Sequence, residues 1–108
     1  MRKFLFAVSG VVILSGPLAQ SAAAQEAAPA AYEKWCTPCH APGSGHPGTQ
    51  SLQIKYKDTL PAVLDERTDL TPEVVKTMVR QGVLMMAPFR KTEVSDAELD
   101  AIAAYLAK

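Results

Sequence analysis

The 108-residue sequence lacks the usual means of holding a small domain together. It has two cysteines, Cys36 and Cys39, only three positions apart. A disulfide between them would close a tiny loop and remove little entropy from the unfolded chain, so there is no disulfide framework. Charge is also missing as a signal: 11 basic residues balance 11 acidic ones, and nothing marks a nucleic-acid binder. No stretch alternates apolar and polar residues with the period of a strand, and no segment repeats. No apolar run approaches the roughly twenty residues that cross a bilayer comfortably. A chain of this length makes one small domain with a limited core of its own. Without disulfides, such a domain is completed by a metal or a large buried group.

What is present begins with a leader. Met1-Arg2-Lys3 is basic, Phe4 to Leu14 is mostly apolar, and Gly16-Pro17 ends the run. Small residues follow, and Ala22-Ala23-Ala24 fits a small-x-small cleavage site. Basic, apolar and small-residue regions in that order describe a secretory signal peptide over residues 1–24. The expected mature domain is 25–108, beginning at Gln25. Without Arg2 and Lys3 it holds 9 basic and 11 acidic residues, a formal charge of −2. It is expected to be exported and soluble, which in a Gram-negative host means periplasmic.

The mature segment reads as all-α. Ala30 to Cys36 contains no breaker and predicts a short helix running into the cysteines. Ala41 to Thr49 holds three glycines and two prolines and reads as a loop. Ser51 to Lys57 is ambiguous between helix and loop. Thr71 to Gln81 is a helix with Thr71 as N-cap, Pro72 at the first helical position and Gly82 as its stop. Val75, Met78 and Val79 form its apolar stripe, which predicts that Met78 is core. Leu84 to Lys91 follows as a loop containing Pro88. A last helix starts at Ser95, with Glu98 completing a capping box. Leu99, Ile102, Ala103 and Leu106 line one face of it, flanked by Tyr105. The expected architecture is three to five helices around one cofactor.

Cys36-Thr-Pro-Cys-His40 identifies that cofactor. Two thiols one helical turn apart lie on one face and match two vinyl groups on one porphyrin edge. The adjacent His40 is placed to ligate the iron, and the string CxxCH reads as a c-type haem attachment site. Two other chemistries compete. A thiol oxidoreductase needs a βαβ context that is not visible here. A zinc site of Cys36, Cys39, His40 and His46 would need adjacent ligands at 39 and 40, which suits a tetrahedral ion poorly.

A sixth iron ligand is sought among the methionines, because thioether sulfur favours Fe(II) and raises the potential. Met85 and Met86 lie on the loop after Gly82, which Pro88 stiffens. A solvent-filled or His46-filled position is the alternative. With this loop, residues 29–108 resemble the class I c-type cytochromes. Their pattern is CxxCH, a Met-Pro loop some tens of residues later, and a terminal helix. Here it reads Cys36 to His40, Met86-Ala87-Pro88-Phe89, then Ser95 to Lys108. The ligand methionine of that family commonly precedes proline directly. Ala87 intervenes here, and the family pattern and loop spacing favour Met86 over Met85.

The resemblance implies more. The terminal helix should cross the N-terminal one, with Tyr105 packing near Trp35. A proline carbonyl should accept the Nδ1 proton of His40, a bond that orients the ring. Pro47 is the first candidate and Pro61 the rival. Arg67 is either a partner for a haem propionate or a solvated surface residue. With both axial positions filled by protein, the haem suits one-electron transfer and not substrate chemistry. Three stretches resemble the small cytochrome subunits of flavocytochrome dehydrogenases: His46 to Thr49, Leu64 to Leu70, and Phe89 to Leu99. In those enzymes an FAD-containing subunit oxidises a para-alkylphenol such as 4-cresol or eugenol and passes electrons on singly. Leu84, Met85 and Phe89 would form the apolar docking patch or else line the haem pocket. A free carrier serving other donors and a terminal oxidase is the second reading.

Overall fold

A computed structural model describes residues 27–108. The expected signal peptide, its cleavage site and Gln25 lie outside the described residues. Within them the fold has five α-helices and one 3-10 turn: α1 Ala30–Trp35, α2 Thr37–His40, α3 Pro47–Tyr56, the turn Leu64–Glu66, α4 Pro72–Gln81 and α5 Asp96–Leu106. No helix among the described residues is long and apolar enough to cross a membrane.

The helix ends follow from local chemistry. The Thr71 hydroxyl accepts the Val74 N–H, Pro72 fills the first turn, and Gly82 stops α4 at φ +72°. Ser95 and Glu98 complete a reciprocal capping box at α5. The break between α1 and α2 comes from Pro38. It has no N–H to continue the helical ladder, so the chain turns at Cys36 before one more helical turn.

Two expectations change. The loop after the cysteines ends at His46, not at Thr49, and α3 takes in both Pro47-Gly48 and the ambiguous stretch. Proline is favoured at a first helical position, where its missing N–H has no partner to lose. Met78 is not core but 43% exposed. Val75 and Val79 face α5, and Met78 turns to the side of α4 that carries Val74.

Helix α5 packs on α4 and on α1, and the core lies along these contacts. Its members include Tyr32, Val75, Val79, Val94, Leu99, Ile102 and Leu106. Tyr105 packs against Tyr32 with ring centroids 5.2 Å apart, whereas Trp35 meets Phe89 edge-on at 5.9 Å. The expected Tyr105–Trp35 contact is thus replaced by two pairs. Tyr105 turns toward the interior because its hydroxyl has a partner there.

That partner is Asp65. Its carboxylate accepts Tyr32 Oη at 3.0 Å and Tyr105 Oη at 2.6 Å, and its main-chain carbonyl accepts Lys108 Nζ at 2.7 Å. One side chain in the 3-10 turn therefore joins α1 to α5. Its removal leaves the Tyr32 hydroxyl buried without an acceptor, which costs about 1–3 kcal/mol. Asp65→Ala should lower the denaturant midpoint of the protein accordingly. The tyrosines also predict an alkaline limit. The bond to Asp65 raises the Tyr105 hydroxyl from its ordinary 10.0 to about 12, and burial pushes Tyr32 higher still. A raised pKa contributes its full stability below the unfolded value and loses it as pH rises through the folded one. Unfolding measured against pH should therefore show stability falling between about pH 10 and about 12.

Candidate functional site

The cysteine turn is built around one carbonyl. Cys36 O accepts the N–H groups of both Cys39, at 3.1 Å, and His40, at 2.9 Å. This puts the two thiols one turn apart, Cys36 half-buried and Cys39 exposed, with His40 next along the same turn. Both cysteines are free. Burial, with Cys39 nearby, pushes the Cys36 thiol up to about 11. Reactive CxxC pairs have the opposite character, a lowered thiol pKa. No group of three His, Cys, Asp or Glu that could hold a metal ion occurs among the described residues.

His40 is packed against the start of α3. A Cβ placed on Gly48 would lie 2.6 Å from His40 Cε1, 2.8 Å from Nδ1 and 2.7 Å from the Cys39 carbonyl. No side chain fits there, so the glycine inside α3 is what lets the helix approach the ring. Burial lowers the His40 pKa and favours the neutral imidazole, the form that ligates a metal. Nδ1 is buried without a hydrogen-bond partner. The expected bond from a proline carbonyl is therefore not made. Pro47 is the first residue of α3, and its carbonyl accepts the Ser51 hydroxyl at 2.8 Å. Pro61 does not supply the bond either, since no partner reaches Nδ1. The buried Nδ1 edge leaves Nε2 as the nitrogen for a ligand.

His46 and Thr49 add to this support. His46 Nδ1 donates to the Pro38 carbonyl at 3.1 Å, and Thr49 Oγ1 donates to the Ala41 carbonyl at 2.9 Å. His46 is thereby tied to the turn that carries His40, which argues against it as a ligand on the opposite face.

The methionine turn is anchored at both ends. Val83 and Met86 exchange main-chain hydrogen bonds of 3.0 and 2.9 Å, closing a tight turn with Leu84 and Met85 at its tip. Before the turn, a Cβ on Gly82 would meet Met86 O at 2.5 Å and Pro88 N at 2.8 Å. After it, Phe89 N–H donates to the Val79 carbonyl at 2.8 Å. Arg80 bonds the carbonyls of Phe89 and Val94 and the carboxylate of Asp96, tying turn, α4 and α5 together. Met86 is half-buried and packs against the core, whereas Leu84 and Met85 are 100% and 91% exposed. Phe89 reaches Trp35 of α1, so the methionine turn touches the helix that leads into the cysteines.

Arg67 is buried, which rules out the solvated surface residue of the sequence reading. Its guanidinium holds Asp69 through two bonds of 2.6 Å and lies 4.8 Å from the Tyr56 ring centroid. The pair with Asp69 raises its pKa. A cleft of about 620 Å³ lies between Gly43-Ser44, one side of α3 and the 58–66 segment. Cys36, Cys39, His40 and Met86 do not line it, so it is separate from the turn just described.

The family model described as "Cytochrome C oxidase, cbb3-type, subunit III" matches residues 23–106. The chain belongs to this cytochrome c family. No curated protein and no solved structure matches it. A cytochrome c domain carries one covalently bound haem c, passes electrons and is not an enzyme. The residues present fit that group. Two free thiols share a turn with an imidazole whose Nδ1 edge is covered. The core is thin, with three alanines among the ten buried apolar residues of the described part. Large apolar side chains remain uncovered along α4 and the turn after it, at Val74, Met78, Val83, Leu84 and Met85.

Sequence reasoning gave Gly48, Thr49 and Arg80 no role at the haem turn, and it weighed His46 as a metal ligand and as part of the His46 to Thr49 stretch. A glycine inside a helical stretch directly after a proline was the available signal for Gly48. Two substitutions test the cradles of the cytochrome. Gly48→Ala should displace the His40 ring and alter the optical spectrum of the haem-loaded protein. Gly82→Ala should cost about 1–3 kcal/mol, the scale for a side chain in backbone space reserved for glycine, and should disturb Met86 as well. Spectra and denaturant curves of both variants check this.

Proposed function

We propose that this cytochrome is an exported, periplasmic one-electron carrier whose iron is held by His40 and Met86, with the haem attached through Cys36 and Cys39. The observation that carries the ligand choice is the contrast between the neighbouring methionines. Met86 is drawn toward the core by a turn fixed at both ends, while Met85 stands in solvent at its tip. When bound, the haem supplies the Fe(III)/Fe(II) couple. The chain does the rest. Gly48 and the covered Nδ1 edge aim Nε2 of His40, and the Val83–Met86 turn limits the motion of the Met86 thioether. Thioether ligation raises the potential by favouring Fe(II).

The proposed donor is an FAD-containing dehydrogenase that oxidises para-alkylphenols. Its support is the likeness of His46 to Thr49, Leu64 to Leu70, and Phe89 to Leu99 to the cytochrome subunits of such enzymes. The exposed, uncharged tip of Leu84 and Met85 suits a lasting apolar interface better than charge-steered encounters. The second reading is a free carrier that feeds a terminal oxidase, favoured by the oxidase named in the family description.

Met86→Ala should abolish the methionine-to-iron charge-transfer band and open the iron to carbon monoxide, while Met85→Ala should leave the band in place. If only Met85→Ala removes it, the ligand assignment is wrong. For the partner, the measurement is co-purification followed by addition of a para-alkylphenol. Haem reduction through a bound flavoprotein supports the dehydrogenase, and a monomer reduced only by unrelated donors supports the free carrier.

A further inference from the structure

We infer that His46 is a positioning residue for the haem-bearing turn, acting with Thr49 to hold the carbonyl end of α2 against α3. The inference rests on the reading that Cys36, Cys39 and His40 carry the haem, and it assigns a role to residues outside that set.

Helix α2 has only four residues. Its internal bonds use the carbonyls of Cys36 and Thr37, which receive the N–H groups of His40 and Ala41. The carbonyls that follow have no partner within the helix, as at any helix end. Two are taken by side chains from the start of α3, Pro38 O by His46 Nδ1 and Ala41 O by Thr49 Oγ1. These acceptors lie on either side of Cys39 and His40. Between the two donors sits Gly48, where a Cβ would lie 2.6 Å from the His40 ring and 2.7 Å from the Cys39 carbonyl, so only glycine allows this approach. The arrangement is a clamp with two polar jaws and a close contact at its centre.

The chemistry fixes the His46 tautomer. A carbonyl oxygen only accepts, so Nδ1 of His46 must carry the proton. His40 lacks an orienting bond of its own at Nδ1. Its ring direction is therefore set by packing against Gly48, and that packing lasts only while α3 stays in register with α2. His46 and Thr49 keep the register, so their effect reaches the iron through His40 without touching it.

The test uses the haem-loaded protein and three variants, His46→Leu, His46→Asn and Thr49→Val. Asparagine carries its Nδ2 donor at the same position along the side chain as histidine Nδ1, and it is a good N-cap. His46→Leu should shift the haem-methyl proton resonances of the oxidised protein, which report the orientation of the axial imidazole, and should shift the midpoint potential. His46→Asn should return both to the wild-type values, and Thr49→Val should shift the resonances without abolishing attachment. If His46→Leu lowers the melting temperature but leaves the resonances and potential unmoved, His46 is only structural and the inference fails. If His46→Leu yields no haem-loaded protein, His46→Asn decides. Restored loading supports the donor role, and equal loss in both overturns it. A wild-type protein without covalent haem would instead sink the underlying reading of the cysteine turn.

Discussion

Everything in this cytochrome depends on presenting two thiols and one imidazole from a single turn of backbone. Five residues cannot hold such a turn alone, because a helix this short has nearly as many unpaired main-chain groups as paired ones. The fold answers by building outward from it. Pro38 breaks the helix so that the turn is offset from α1, and α3 begins where it can close on the loose end. The glycine in α3 is then a condition of contact with His40 and not a weakness of the helix.

The second half of the domain meets a parallel demand with other means. A thioether on a flexible side chain needs a rigid base, and the base is the C-terminal end of α4. Gly82, the Val83–Met86 bonds and the Phe89–Val79 bond leave the main chain of the turn little freedom. Arg80 extends that rigidity into α5 by filling acceptors on three residues at once. Trp35 and Phe89 then bring the two halves into contact. An aromatic pair of this kind contributes about 0.5–1.5 kcal/mol beyond its buried area.

Much of this was legible in the residues. The caps at Thr71 and Ser95, the stop at Gly82 and the CxxCH string depend on local chemistry, and the structure keeps each of them. The features that escaped depend on what approaches from elsewhere. Pro47-Gly48 reads as a loop because both residues break helices in isolation; here one opens a helix and the other admits a ring. Met78 matched the helical period yet lies on the edge of the stripe, and only the position of α5 decides which edge is covered. Tyr105 was expected beside Trp35. The acceptor that draws it away, Asp65, stands 40 residues earlier in the chain. The Nδ1 of His40 was expected to find a carbonyl, and Ser51 binds the one on Pro47.

The Asp65 junction has a consequence for the order of events. Helix α1 gains its polar tie to α5 only when Tyr32 and Tyr105 meet on one carboxylate, and Tyr105 belongs to the last helix. A chain that emerges with its N-terminal end leading, as in synthesis, cannot close this junction until α5 has followed. Until then α1, and the cysteine turn that follows it, lack this tie to the last helix. The contact that joins the two ends of the finished domain is thus missing from the emerging one, for a delay set by the distance along the chain between two tyrosines.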